Sequence, residues 1–362
     1  MSYQRRNFAH LAPYTPGEQP DSEHVIKLNT NENPYPPANE VLEAISSVNG
    51  DMLRRYPQPT ADAFRQTAAK VHELSPDMII ATNGGDELLR LAITVFCEPR
   101  TGDQTRGGLA MSQPTYSLFT TLGQIHDTPV TQIPLGDDWS LAKDFADIVR
   151  HNDCRLAILV NPHAPTGCLR SLSQLEAIAR QLQEHAVLLV DEAYVDFSAH
   201  DAISLLRKNN PLNNVLLLRT LSKGYSLAGL RFGYGLGHPS LIEALTKARD
   251  SYANDVISQV AAIAALEHRD QAAKTWQAVK KERSRLAMKL TEHGFDVVPS
   301  ESNFLLCQPA KSGPTAKTIY ESLKKRGVFV RYFDQSRLCD RLRITVGQPA
   351  ETDVLLQAID TM

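Results

Sequence analysis

The chain has 362 residues and a formal net charge of -3, with 42% hydrophobic and 22% charged residues. That length is more than one small core covers and fits about two domains; with near-neutral, interspersed charge, nothing argues for a surface built for nucleic acid or membranes. Five scattered cysteines (Cys97, Cys154, Cys168, Cys307 and Cys339) form no C-x-x-C pair, which argues against a disulfide framework or a zinc site and for a reducing compartment.

The first forty residues contain Leu11-Ala-Pro-Tyr-Thr-Pro-Gly17 and Leu28-Asn-Thr-Asn-Glu-Asn-Pro-Tyr-Pro-Pro37. Proline at this density opposes regular structure, so residues 1–38 are expected to be an extended arm. From Asn39 onward, helical patterns alternate with short apolar runs. Met78–Thr82 is a strand candidate, followed by a helix from Glu87 to Phe96. Leu156–Val160 is a second strand candidate, followed by a turn-rich loop and a helix from Leu172 to Glu184. Val187–Val190 and Val215–Leu218 are the third and fourth. These runs are apolar almost throughout, the mark of strands buried on both faces. They predict an α/β fold with a mainly parallel sheet sandwiched by helices, in a large domain over 39–245. After Pro239 the pattern changes. Leu241 to His293 is nearly free of Gly and Pro and reads as consecutive helices, followed by strand candidates Val328–Val330 and Leu342–Val346. This predicts a smaller α+β domain over 246–362 that recruits the arm. There is no apolar leader after the polar first ten residues and no run approaching about 18 apolar residues. A cytoplasmic protein is expected.

Several short segments carry chemistry. In Thr220-Leu-Ser-Lys-Gly-Tyr-Ser-Leu-Ala-Gly-Leu-Arg-Phe-Gly233, Lys223 follows an apolar strand. Desolvation there lowers an amine's pKa and makes it a nucleophile toward an aldehyde; a solvated surface lysine is the plainer alternative. Ser222 and Arg231 are suited to donate to a phosphate. In Val190-Asp-Glu-Ala-Tyr-Val-Asp-Phe197, Asp191 closes a strand where open α/β sheets present ligands. It suits a pyridinium nitrogen, with Tyr194 as donor to a ring oxygen; a helix N-cap is the competing role for Asp191. Thr82-Asn-Gly-Gly-Asp-Glu87 joins a strand to a helix, so its glycines and free N–H groups suit a phosphate, or form a plain turn. Tyr116, in Gln113-Pro-Thr-Tyr-Ser117, suits stacking on a ring face. Asn161-Pro-His-Ala-Pro-Thr-Gly167 is a loop at another strand end.

Taken together, these segments resemble the fold-type I aminotransferases and, within them, the histidinol-phosphate aminotransferases. The resemblance runs from Tyr14 to Gly347. It rests on Asn31-Glu-Asn-Pro-Tyr35, Arg55-Tyr-Pro57, Gly84-Gly-Asp86, Pro114-Thr-Tyr116, Pro165-Thr-Gly167, Asp191-Glu-Ala-Tyr194, Ser222-Lys223, Gly229-Leu-Arg231, Ser302-Asn-Phe-Leu305 and Leu342-Arg-Ile-Thr-Val-Gly347, in that order. It implies transamination between histidinol phosphate and 2-oxoglutarate in histidine biosynthesis, with pyridoxal 5'-phosphate held as a Schiff base on Lys223. It further implies Asp191 at the ring nitrogen, Tyr194 at the ring hydroxyl and Tyr116 on the ring face. Gly84, Gly85, Ser222 and Arg231 would hold the phosphate, with Asp86 also a cofactor-binding position and Tyr56 reaching the phosphate from the partner of a homodimer. Tyr14, Asn33, Arg331 and Arg343 would hold the substrate. Two positions depart from the family pattern. Ala164 stands where the family has Asn, so either Asn161 takes over that bond or Tyr194 bears it alone. Gly85 stands where many relatives have a hydroxyl. An aminotransferase for aromatic or other amino acids, and a decarboxylase of phosphorylated amino acids, share these motifs. A non-enzymatic regulator would need a DNA-binding module, for which the arm shows no pattern.

Overall fold

Runs of Leu, Val and Ile give this chain a central sheet whose strands are buried on both sides. The computed structural model describes residues 3–11, 17–20, 25–101, 106–207 and 212–361. Its strands, in chain order, are β1 (Ile26–Lys27), β2 (Ile79–Thr82), β3 (Gly108–Gln113), β4 (Val130–Pro134), β5 (Cys154–Val160), β6 (Val187–Asp191), β7 (Val215–Thr220), β8 (Gly233–Gly237), β9 (Asp296–Val297), β10 (Phe304–Gln308), β11 (Val328–Phe329), β12 (Arg331–Tyr332) and β13 (Leu342–Thr345). Seven form one sheet in the order β2-β8-β7-β6-β5-β3-β4. All its pairs are parallel except those of β8, which runs against both neighbours. Successive side chains point to opposite faces. Leu188 and Val190 belong to one buried cluster with Leu175 of the helix Leu172–Gln181, whereas Leu189 belongs to a second with Leu88 of the helix Gly84–Phe96. The fold class is therefore α/β with helices on both faces of a mainly parallel sheet.

Register fixes what meets at the strand ends. Val160 pairs with Asp191, and Asp191 with Leu218. The C-terminal ends of β5, β6 and β7 therefore lie level, the edge at which parallel sheets present ligands. One polar cluster interrupts the apolar layer beneath that edge. Arg219 Nε donates to Glu192 Oε2 at 2.8 Å, and its Nη2 lies 3.2 Å from Asp201 Oδ2. Burial works against the Arg219 charge, but Glu192, Tyr234 and Asp201 more than offset it and hold the guanidinium firmly protonated. Replacing Arg219 with Met is expected to destabilise the protein by about 3 kcal/mol, because it strands the buried Glu192 carboxylate. Urea denaturation measures this, and a loss below about 1 kcal/mol would show that the carboxylate finds another partner or stays neutral.

The remaining strands form an antiparallel sheet, β12-β13-β10-β9, and a parallel pair, β1-β11. Through the pair, Ile26 and Lys27 of the N-terminal segment dock on Val328 and Phe329. The Leu28 carbonyl then accepts from the Thr345 N–H at 2.9 Å, so the early segment is laced into the C-terminal one. A second tie joins the segment after β12 to the large sheet. The guanidiniums of Arg337 and Arg341 lie 4.9 and 5.3 Å from the ring centre of Trp139, within cation–π reach. Arg337 also donates to the carbonyls of Leu135 and Gly136 at 2.6 and 2.7 Å. Among the described residues, no helix is long and apolar enough to cross a membrane.

Candidate active site

A cavity of about 280 Å³ opens at the level ends of β5, β6 and β7. Lys223 enters it from the loop after β7. Its ammonium donates to the Thr30 carbonyl at 2.9 Å. Burial lowers its pKa to about 8; Arg343 and Arg231 push the same way, against Glu32 and Asp86. The surface-lysine alternative fails, because this amine is partly buried and easily neutralised. Asp191, the last residue of β6, is 6% exposed and lines the same cavity. Burial raises its carboxyl to about 7; the 3.0 Å bond from the Ala193 N–H opposes the rise, and Asp86 and Glu192 add to it. Only the three-residue 3₁₀ turn Val195–Phe197 follows, so the carboxyl caps no regular helix. A buried carboxyl with so little neutral support favours a cationic neighbour.

One end of the cavity is suited to an anion. Gly85, Asp86, Ser222 and Arg231 line it. Gly84 opens the 13-residue helix Gly84–Phe96 with φ +72°, and a Cβ there would lie 2.9 Å from Arg231 Nη2. The glycine thus lets the guanidinium lie against the start of the helix, where free N–H groups favour negative charge. Gly233 of β8 packs on the same turn, and a Cβ on it would meet the Gly84 carbonyl carbon at 2.5 Å. Arg231 meets Asp86 at 3.4 Å, with both side chains about half exposed. A pair so open to water is weak and exchanges readily for another anion.

Tyr116 and Tyr194 line the middle of the cavity, each edge-on to a phenylalanine: Tyr116 to Phe119 at 5.6 Å and Tyr194 to Phe304 at 5.0 Å. Ala164 lines the wall, but Asn161 does not. Both ends of the Asn161 amide are tied to the backbone of Arg170: Oδ1 accepts at 2.7 Å and Nδ2 donates at 3.4 Å. Of the two expected ways to compensate for Ala164, a contribution from Asn161 therefore has no geometric support. His163, between them, is buried and neutral, lowered to about 3 by burial and then by Arg170, and it bonds Thr166 at 2.8 Å.

At the other end, the guanidiniums of Arg331 and Arg343 lie 5.2 and 5.5 Å from the ring centre of Phe333. Arg343 also donates to the Asn29 carbonyl at 2.8 Å. Asn33 is not on the wall. Its amide donates to Gly224 O at 3.2 Å and to Thr275 Oγ1 at 3.1 Å, which braces the loop behind Lys223. Tyr56 is 80% exposed and stacks on Tyr252 at 4.4 Å, away from its own chain's cavity. Tyr14 lies outside the described residues. The cavity also contains residues that the sequence reading passed over: Thr30, Asn31, Thr115, Ser117 and Phe333. Thr30, Asn31, Thr115 and Ser117 stand within chemistry-bearing segments, and among the five Asn31 alone adopts a positive φ, 57°, a conformation Asn tolerates better than most residues.

With this geometry in view, comparison with known proteins is specific. A family model described as aminotransferase class I and II matches residues 23–359. A Nostoc protein described as histidinol-phosphate aminotransferase 1 is 40% identical over 361 residues, 99% of this chain and 97% of that one. A Burkholderia pseudomallei protein of the same description is 40% identical, covering 96% of this chain and 95% of its own. The solved structure of a Sinorhizobium meliloti histidinol-phosphate aminotransferase in complex with pyridoxal-5'-phosphate aligns with TM-score 0.84 at 28% identity, covering 92% of this chain and 90% of that one. The fold alone is shared with an L-threonine-O-3-phosphate decarboxylase from Porphyromonas gingivalis (TM-score 0.78, 19% identity, covering 92% and 98%). A match over nearly the whole length, around an amine and a carboxyl at the strand ends, shows that the chain belongs to the class I and II aminotransferases.

Proposed function

We propose that this aminotransferase is pyridoxal-phosphate-dependent and transfers the amino group of glutamate to the keto precursor of histidinol phosphate. The observation that carries the cofactor is the pairing of an easily neutralised Lys223 amine with a buried Asp191 carboxyl in one cavity. A phosphorylated pyridine aldehyde matches these groups. The carboxyl suits a protonated ring nitrogen, the amine suits the aldehyde, and the Gly84–Arg231 end suits the phosphate. The substrate rests on the full-length likeness to proteins described as histidinol-phosphate aminotransferases.

When bound, the cofactor supplies an electron-withdrawing ring that weakens the bonds to the substrate's α-carbon. The chain's own residues do the rest. Lys223 Nζ, neutral in part at physiological pH, takes the proton from the α-carbon and returns it on the far side of the transfer. Asp191 keeps a positive charge on the ring nitrogen, and the Tyr194 hydroxyl donates to the ring oxygen. Arg231, Ser222 and the N–H groups opening the helix Gly84–Phe96 hold the phosphate. Arg343, with Arg331, meets the α-carboxylate of glutamate in one half-reaction and the phosphate ester of histidinol phosphate in the other. One guanidinium fork fits both anions. Replacing Arg343 with Ala is therefore expected to raise KM for both partners roughly tenfold to a hundredfold, the range for one charge-assisted contact. Unchanged KM values in steady-state assays would remove that role.

We further infer a cytoplasmic homodimer. Five cysteines without disulfides support a reducing compartment. The Tyr56–Tyr252 stack stands out on the surface, as a contact for a second copy would. The substrate assignment is tested by mixing the yellow enzyme separately with histidinol phosphate, phenylalanine and threonine phosphate. Bleaching of the visible band at a much lower concentration of histidinol phosphate supports it, and preference for another amine overturns it.

A further inference from the structure

We propose that Asn31 is a positioning residue for Tyr194, donating its side-chain amide to the Tyr194 hydroxyl so that the hydroxyl's own proton is directed to the cofactor's ring oxygen. The proposal rests on the cofactor reading above and adds a residue to which no role has been given.

Asn31 is 1% exposed, yet it lines the cavity. Its backbone is anchored at both ends. The Asn31 N–H donates to Thr345 Oγ1 at 3.0 Å, and its carbonyl accepts from Asn303 Nδ2 at 2.9 Å. These contacts also fix which way the side-chain amide faces. Thr345 Oγ1 accepts from the backbone N–H and donates its single proton to Asn31 Oδ1, 3.1 Å away. The other end of the amide, an NH₂ group that only donates, lies 3.1 Å from the Tyr194 hydroxyl. Tyr194 must therefore be the acceptor in this pair, and its own proton points elsewhere. A hydroxyl that accepts one hydrogen bond becomes a stronger donor in the next. An anchor for the backbone alone needs no amide turned toward a tyrosine on the cavity wall.

Two neighbours give this arrangement its purpose. Ala164 brings no polar group to the wall, and the Asn161 amide is spent on Arg170. A stronger donor at Tyr194 compensates for both. Thr345 lies two residues from Arg343 on β13, so the two side chains leave the same face of the strand. The anchor of Asn31 and the guanidinium proposed for the substrate's anion thus hang from one short strand.

The test uses the loaded enzyme and reads the pH midpoint of its visible band, together with the dissociation constant for pyridoxal phosphate. Donation to the ring oxygen stabilises its anion, so a weaker donor moves the midpoint up. Asn31→Ala is expected to raise the midpoint by roughly one pH unit and to loosen the cofactor about tenfold. Asn31→Asp is nearly isosteric, tolerates the same backbone and keeps an acceptor for Thr345, but loses the NH₂. It is expected to shift in the same direction, and it carries the test if the alanine variant fails to fold. In a Tyr194→Phe background, Asn31→Ala is expected to leave the midpoint unmoved and Asn31→Asp to shift it less than in the parent, because the lost amide acts only through that hydroxyl and just the new carboxylate acts directly. An unmoved midpoint in the single variants, or a shift of equal size with and without Tyr194, overturns the proposal. A wild-type protein that stays colourless with pyridoxal phosphate instead overturns the cofactor reading beneath it.

Discussion

Replacing Lys223 with Ala is expected to lower kcat by about four orders of magnitude, the upper range for losing one positioned acid–base group. The fold should survive. The substitution removes a desolvated ammonium that Arg343 and Arg231 disfavour, so a thermal scan is expected to show a melting temperature equal to or above that of the parent. Borohydride reduction of the parent with pyridoxal phosphate should fix a pyridoxyl group on residue 223, found by peptide mass mapping, and none on the variant. Capture should also quicken as pH rises through about 8, where the amine loses its proton. A variant with turnover within tenfold of the parent would mean that another group moves the proton.

Asp191→Asn is expected to lower kcat by roughly a hundredfold to a thousandfold at saturating cofactor, the scale for one preorganised electrostatic group. The amide oxygen can still accept from the Ala193 N–H, so shape is kept while the charge that favours a protonated ring nitrogen is lost. Stability supplies an independent reading. In the apoprotein, the folded state holds the Asp191 proton up to about 7, whereas an ordinary aspartate releases it at 3.8. The folded state therefore binds more protons between those values, and this group lowers stability as pH climbs from about 4 to about 7. Asp191→Asn should remove that slope from urea denaturation measured across the window. An unchanged slope with unchanged kcat would take Asp191 out of the site.

What could be read in the sequence followed how each element is stabilised. The four strands expected from their apolar runs are present, as β2, β5, β6 and β7, each extended or trimmed by a residue or two. They were legible because both faces are buried. The strands β3 and β8, Gly108-Leu-Ala-Met-Ser-Gln113 and Gly233-Tyr-Gly-Leu-Gly237, were not. They lack β-branched residues, and their glycines are needed for close packing rather than strand propensity. The run Val328–Val330 was expected as one strand; only Val328 and Phe329 form it, as β11, which pairs with the N-terminal segment, and a separate strand, β12, follows at Arg331–Tyr332 and pairs with β13. No local pattern reports such partners. The site shows the same contrast. Lys223 and Asp191 were legible because chemistry demands those side chains at the ends of apolar strands, and Arg231 because a guanidinium fork suits a phosphate. Thr30 contributes a carbonyl, which every residue has, and Asn31 owes its position to Thr345 and Asn303, some 270 or more residues away in the chain. For Asn161, a position in a loop gave no hint that its amide would fold back on Arg170.

The contact of Gly233 with Gly84 bears on how this enzyme can be redesigned. With no room for even one carbon between β8 and the turn that opens the helix Gly84–Phe96, altering either glycine shifts both elements, and the Arg231 guanidinium resting on that turn shifts with them. Libraries aimed at new amines should therefore leave positions 84 and 233 fixed. Diversity is better directed at Phe333 and Gln335, side chains at the opposite end whose replacement need not disturb the anion-binding turn.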